Sequence, residues 1–309
     1  MREKRRNNAV KEYGGLILNP GCSNYCVFCR RVPKATSSEL KEQEINIIKN
    51  LVELKKKGIK KIEISGSDPI EYDKIVLLIK YIKKVGFDFV QLSSHGKRLA
   101  NKPFLNELID SGIDKLRIPI YGPEARIHDS VTRTKGSFNA TIEGIKGISE
   151  KAPNIQIQIT CLIIQQNKNY LKKIIDLIGE LGITDFYFSI PCVKNNDYSY
   201  YLPFKEMGSY VRNAYGHTAE IDYQVSFMEI PFCVFGLISD LINNISLPPD
   251  HGKYCQPLKR FRTPVKDIPS YRLKGKIDMC DICKAKDFCD GFFLNDIKKY
   301  GVGNLKPIT

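Results

Sequence analysis

The chain has 309 residues, 42% of them hydrophobic, and a net charge of +14, enough for one large α/β core or for a domain of about 200 residues with an appendage. No apolar run approaches the roughly 20 residues of a membrane-crossing helix. The opening Met1-Arg2-Glu3-Lys4-Arg5-Arg6 lacks a signal's apolar stretch, so a cytoplasmic location without a membrane partner is expected. The ten cysteines cluster as C-x3-C-x2-C and C-x2-C-x5-C, spacings that speak for metal ligation in a reducing compartment over disulfides. Between Lys253 and Lys276 eight basic residues face one acid, Asp267. Such a strip attracts nucleic acid or an acidic peptide, although no nucleic-acid module accompanies it.

After a basic tail at 1–12, Tyr13 to Asn19 reads as a buried strand ending in Pro20-Gly21. Ser37 or Ser38 is set to cap a helix with Leu40, Ile47, Ile48, Leu51 and Leu54 on one face and Gly58 as its stop. The unit then recurs. Lys61 to Ser65 is a strand, followed by a helix carrying Ile75, Val76, Ile79, Ile82 and Val85. Asp88 to Ser93 precedes a helix with Leu105, Leu108 and Ile109, and Lys115 to Ile120 precedes a long connection and a helix with Phe138, Ile142, Ile145 and Ile148. Ile155 to Ile164 leads to the helix of Leu171, Ile174, Ile175, Ile178 and Leu181, and Asp185 to Ile190 is a sixth strand. Beyond Tyr201 the rhythm fades. Six alternating units argue for a parallel sheet covered by helices, either open and doubly wound or curved into a partial barrel. Either way the functional loops gather at the C-terminal strand ends.

The first strand delivers Cys22, Cys26 and Cys29 to such an end. Three thiolates hold three irons of a 4Fe-4S cluster and leave one open to a small molecule; a structural zinc site is the alternative, though no fourth ligand lies near in sequence. The spacing, with Phe28 just before the last cysteine, resembles the radical S-adenosylmethionine (radical SAM) superfamily. That resemblance implies a partial (β/α)6 TIM-type barrel over residues 13–200. It also implies SAM as cofactor, and cleavage of SAM at the cluster to a 5'-deoxyadenosyl radical that abstracts hydrogen, the cofactors supplying the hard chemistry.

Further residues carry the resemblance. Ser65-Gly66-Ser67-Asp68-Pro69 stands where the family commonly has Gly-Gly-Glu-Pro, which implies that Gly66, Ser67 and Asp68 receive the SAM ammonium; a simple Asp-capped turn is the alternative. Ser93-Ser94-His95-Gly96 is similar to the family's Thr-Asn-Gly, which gives Ser94 a role on the ribose or methionyl group. His95 in that polar turn reads as a solvated side chain, with an acid or base role as the alternative. Arg133, before Gly136-Ser137-Phe138, is the candidate for the SAM carboxylate, since a planar guanidinium suits that fork. Pro119 and Tyr121 stand where many members have a serine and an acid. Cys192, at the end of the sixth strand, is a candidate hydrogen donor to a substrate radical; it and Cys161 also fit as small core residues.

Residues 201–309 form a C-terminal extension. Cys280, Cys283 and Cys289 supply three ligands, and the fourth is Cys233 or Cys255, because an iron-sulfur or zinc site closes with four. The segment resembles the auxiliary-cluster domains called twitch or SPASM-like, which implies a second 4Fe-4S cluster and favours Cys233. Phe293 stands where the fuller version has its last cysteine, which argues against a further cluster there. The family implies an electron donor such as flavodoxin or ferredoxin, and a substrate that is a peptide or protein, with a slight lean that way, or a small molecule to be oxidised. An RNA-modifying enzyme using the strip around Arg260 and Arg262, and a non-catalytic iron-sulfur or zinc protein, are the other classes in play.

Overall fold

The computed structural model describes residues 13–29, 35–193, 197–219, 224–235, 273–287, 289 and 291–309. The basic tail, Cys255 and most of the basic strip lie outside these residues. Among the described residues no helix is long and apolar enough to cross a membrane.

Seven strands follow one another in the sheet in chain order: β1 (Tyr13–Leu18), β2 (Lys61–Gly66), β3 (Phe89–Ser93), β4 (Lys115–Pro119), β5 (Gln156–Leu162), β6 (Asp185–Ser189) and β7 (Gln224–Phe227). The intervening helices are α1 (Ser37–Lys56), α2 (Ile75–Lys84), α3 (Lys102–Ile109), α4 (Ala125–Thr132), α5 (Ser137–Lys151), α6 (Leu171–Glu180) and α7 (Phe204–Ala219). The fold is the parallel α/β sheet that the alternation predicts, in the partial-barrel form that the family resemblance implies. It runs one unit further, since β7 pairs in parallel with β6. By contacts the chain forms two compact units, 1–119 with 132–158, and 120–131 with 159–309.

In the first unit β1 to β4 pair in parallel, with Leu16 opposite Ile64 and Leu92 opposite Leu116. Alternate residues of these strands, Leu16, Leu18, Ile62, Ile64, Val90, Leu92, Leu116 and Ile118, are at most 1% exposed. Burial of each contributes about 1.5–3 kcal/mol. Helix α1 corrects two details. Its cap is Thr36, whose hydroxyl accepts the Glu39 N–H while the Glu39 carboxylate accepts the Thr36 N–H, a closed capping box. Ile47 and Leu51 are buried, but Ile48 is turned to solvent, because one position beyond Ile47 the helix has rotated by about 100°.

In the second unit β5, β6 and β7 pair in parallel. Leu171, Ile174, Ile175 and Ile178 form the buried stripe of α6, the i, i+3, i+4, i+7 spacing of an amphipathic helix. The tail adds an antiparallel pair, β8 (Lys274–Gly275) with β9 (Phe292–Phe293), and a last helix, α8 (Leu294–Tyr300). Phe293, at the position of the missing cysteine, is 5% exposed and lies beneath the Lys274 ammonium.

Asp296 of α8 is 3% exposed. Burial pushes its pKa up to about 7, against the pull of the Tyr201 hydroxyl and the Phe204 amide. A carboxyl raised by folding favours the fold while protonated in both states and costs stability as pH climbs from the unfolded value toward the folded one. Asp296→Asn is therefore expected to gain nothing below about pH 4 and progressively more up to about pH 7, with a plateau above. The full shift is worth about 4 kcal/mol, and solvent screening reduces the expected gain to about 1–2 kcal/mol. Chemical denaturation of both proteins across that range reads it directly.

Candidate active site

The first unit builds a loop of thiols at the end of β1. Asn19 Oδ1 accepts the Ser67 N–H (3.0 Å), Ser67 Oγ accepts the Gly21 N–H (3.0 Å), and the same hydroxyl donates to the Gly21 carbonyl (2.8 Å). Ser67 thus clamps the start of the cysteine loop to the end of β2. Between them Gly66 sits at φ +147°, and a Cβ there would lie 1.9 Å from the Leu18 carbonyl oxygen. Only glycine lets the two strand ends approach this closely. Gly66→Ala is expected to cost about 2–5 kcal/mol from strain and overpacking together, visible as a lowered melting temperature of the apoprotein.

Within the loop the Cys29 N–H donates to the Cys26 carbonyl (2.9 Å), closing the second turn, and the Asn24 N–H donates to Cys22 Sγ (3.4 Å). The segment around Arg133 docks against it. The Tyr25 N–H donates to the Thr132 carbonyl (2.8 Å), Thr134 Oγ1 donates to the Ser23 carbonyl (3.5 Å), and Ser137 Oγ donates to Asn24 Oδ1 (3.2 Å). Arg133 itself is exposed and holds a positive φ of 50°. Phe28 is half-buried in the loop. Ser94, 7% exposed, accepts the Gly96 N–H (3.0 Å).

Asp68 and His95 behave differently from expectation. Asp68 does cap a short turn, accepting the Ile70 N–H through Oδ1 (3.3 Å). Its other oxygen accepts the His95 N–H (3.2 Å) and lies 2.5 Å from His95 Nε2. His95 is not solvated: its side chain is 6% exposed, with Glu71 Oε1 at 3.3 Å and Ser23 Oγ at 3.2 Å from Nε2. Lys97 N–H donates to Nδ1 (3.2 Å), which leaves Nε2 to carry the ring's proton. Burial works against charge on the ring, while Asp68, Cys22 and Glu71 raise its proton affinity. The His95 bond in turn holds the Glu71 carboxyl down to about 2, against its burial and with help from the Ser23 hydroxyl. Ligand atoms of Cys22, Asp68 and His95 lie within 4.8 Å of one another. Strand order, not sequence proximity, assembles this group. Glu71, Ser23 and Lys97 were not among the predicted residues, since polar residues in turns carry no periodic signal.

The three thiols fit a cationic cluster. Burial, then the neighbouring Cys29 and Cys22, push the Cys26 thiol up to about 12. Three thiolates this close repel one another, and a bound cation offsets that repulsion. A Radical SAM superfamily model matches residues 16–178. This chain belongs to the radical SAM superfamily.

As a radical SAM enzyme it takes SAM and a 4Fe-4S cluster as its cofactors. A probable GTP 3',8-cyclase of Saccharolobus solfataricus is 22% identical over 172 residues, 56% of this chain and 54% of that protein. An AdoMet-dependent heme synthase of Methanosarcina barkeri is 25% identical over 58% of this chain and 51% of that protein. The chain spans about half the length of these two relatives. Among solved structures, Streptococcus suis SuiB bound to precursor peptide SuiA superposes with a TM-score of 0.52 at 14% identity, covering 73% of this chain and 51% of that one. That likeness is one of radical SAM fold.

The second unit of this radical SAM chain gathers the other thiols. Cys233, in a short turn at Phe232–Val234, lines one cavity together with Cys280, Cys283 and Cys289. Cys283 N–H donates to the Cys280 carbonyl (3.2 Å), and Gly291 N–H donates to Cys289 Sγ (3.4 Å). Burial, then Cys289, Cys280 and Cys283, push the Cys233 thiol up to about 12, the same signature of crowded thiols. The ending segment returns to this turn, with Lys284 N–H on the Ile308 carbonyl at 2.8 Å. Cys192 follows β6 and is half-buried. Cys161 is 2% exposed and accepts the Asn167 side-chain amide at 3.4 Å, the environment of a core thiol.

Proposed function

We propose that Cys22, Cys26 and Cys29 hold the 4Fe-4S cluster at which SAM is reductively cleaved, and that Cys233, Cys280, Cys283 and Cys289 hold an auxiliary 4Fe-4S cluster. In this reading residues 13–200 are the catalytic barrel and 201–309 the auxiliary domain. The cluster, when bound, supplies the electron and the open iron. The chain's part is placement: Ser67 and Gly66 fix the loop, the Asp68 and His95 pair faces Cys22, and Ser94, Phe28 and Arg133 surround the SAM position. With Asp68 engaged by His95, the SAM ammonium is received chiefly by the backbone at Gly66 and Ser67, with the Asp68 carboxylate beside it. The crowding of three thiols beside a buried carboxylate carries the proposal.

Four thiolates at the second site would hold a cluster with no open iron, suited to passing electrons and leaving substrate binding to the barrel. Of the substrate classes, a small molecule stands ahead of a peptide, because the sequence relatives are named for GTP cyclisation and heme synthesis while the peptide-bound neighbour shares only the fold. The electrons come from a donor of the flavodoxin or ferredoxin type. The test is anaerobic: protein reconstituted with iron and sulfide is given SAM and a strong reductant, and the nucleoside product is identified by mass spectrometry. Formation of 5'-deoxyadenosine supports the reading, and failure to bind SAM overturns it.

A further inference from the structure

A parallel sheet covered on both faces is normally apolar on both. In the first unit the helix-facing residues of β1 to β4 obey this, but the alternate positions do not. Because strand side chains alternate, Lys61, Glu63, Gln91, Ser93, Lys115 and Arg117 share the opposite face, with Glu63 opposite Gln91 and Ser93 opposite Arg117 in the register. Four of them are wired together. Glu63 Oε1 accepts from Arg117 Nη1 (2.7 Å), Gln91 Nε2 (3.1 Å) and Ser93 Oγ (3.5 Å), and Arg117 Nε donates to Gln158 Oε1 (2.9 Å) on β5. Glu63 and Gln91 are only 8% and 2% exposed, while the Arg117 side chain keeps 20% of its surface open.

An ion pair taken this far from water adds little to stability over an apolar pair of the same volume, so its presence calls for another role. The arrangement has the features of a prepared receptor. A guanidinium loses much conformational freedom on binding unless already fixed, and here Glu63 and Gln158 fix two of its donors. Lys61 and Lys115 open their strands at the opposite end, so the cation of this face nearest the C-terminal strand ends is Arg117. Arg117 lies two residues before the C-terminal end of β4, the end at which the cysteine loop and the Asp68 and His95 pair are found on their own strands.

We infer that Arg117 receives an anionic group of a small-molecule substrate, a carboxylate or a phosphate, and that Glu63 is the residue that positions it. This rests on the reading above, since it gives a substrate class to the same enzyme. A planar fork suits both anions, and the experiment separates them.

The full-length, cluster-loaded protein with SAM bound is titrated anaerobically by calorimetry with GTP as the phosphate probe and with citrate as the carboxylate probe. One of the two is expected to bind. Its affinity should fall by about 10- to 100-fold in Arg117→Gln, the loss expected for charged hydrogen bonds. Arg126→Gln, which removes an exposed charge elsewhere, should leave it unchanged. Glu63→Gln should weaken the same probe while SAM affinity holds. Binding of neither probe, or equal weakening by Arg117→Gln and Arg126→Gln, overturns the inference. If Arg117→Gln does not fold, Arg117→Lys decides: it keeps the charge and loses the fork, so weakened binding supports the receptor and unchanged binding overturns it. Substrate-free formation of 5'-deoxyadenosine in the same samples reports on the radical SAM reading separately, because that product forms with or without an anion receptor.

Discussion

Cys26→Ala is expected to abolish 5'-deoxyadenosine formation altogether, with loss of the cluster's absorption at the first site and retention of the iron held at the second. The reason is stoichiometric. Three thiolates ligate three irons, and the fourth iron stays open for SAM; with two thiolates the loop cannot hold a cluster that keeps an open iron. The Cys26 thiol itself is pushed up to about 12 by burial, Cys29 and Cys22. Replacing a neutral, protonated thiol with a methyl group removes no charge, so the apoprotein should fold about as well as wild type. A normal apoprotein melt, about four irons per chain in place of about eight, and no nucleoside product would together support the assignment. Nucleoside formation at the wild-type rate in Cys26→Ala would sink it.

Much of this was legible before the structure. The alternation of β-type runs and 3.6-period stripes placed β1 to β6 to within about two residues, because each strand has a buried face and several helices stop at a glycine, such as Gly58 or Gly112, both of positive φ. Helix α4 and the unit of α7 and β7 were not. Gln224-Val225-Ser226-Phe227 spans only four residues, too short for a period to declare itself, and α4 lies within what reads as a long connection. The site was half legible. Cysteine spacing is local, so the loop announced itself. The link from Asp68 to His95 crosses 27 residues, and that from Ser23 to His95 crosses 72. Such contacts are set by which strands are neighbours. The same logic hid the Glu63 and Arg117 pair, since charged residues inside strand periods read as solvent-facing until the sheet is closed around them.

The second large effect concerns the tail. Cys233→Ala is expected to lower bound iron from about eight to about four per chain while leaving SAM binding intact, and to loosen the segment from Lys274 to Ile308. Local geometry alone does little to hold that segment together: its strands β8 and β9 are two residues each and α8 only seven, well below the length at which such elements are stable in isolation. A bound metal can supply folding free energy outright to a segment of this kind. Of the four proposed ligands Cys233 lies farthest away in sequence, 47 residues before Cys280, so its removal opens the largest loop that such a site would close. The thiol is 9% exposed and lies among Phe232, Cys280, Cys283 and Cys289, which leaves little room for a replacement ligand from solvent. Hydrogen exchange should show faster amide exchange over β8, β9 and α8 in the variant, with β1 to β4 unchanged. Full iron retention in Cys233→Ala, with loss of half the iron in Cys255→Ala, would transfer the fourth ligand to Cys255. Zinc in place of iron at the second site of anaerobically purified protein would make the tail a structural clasp without an electron-transfer role.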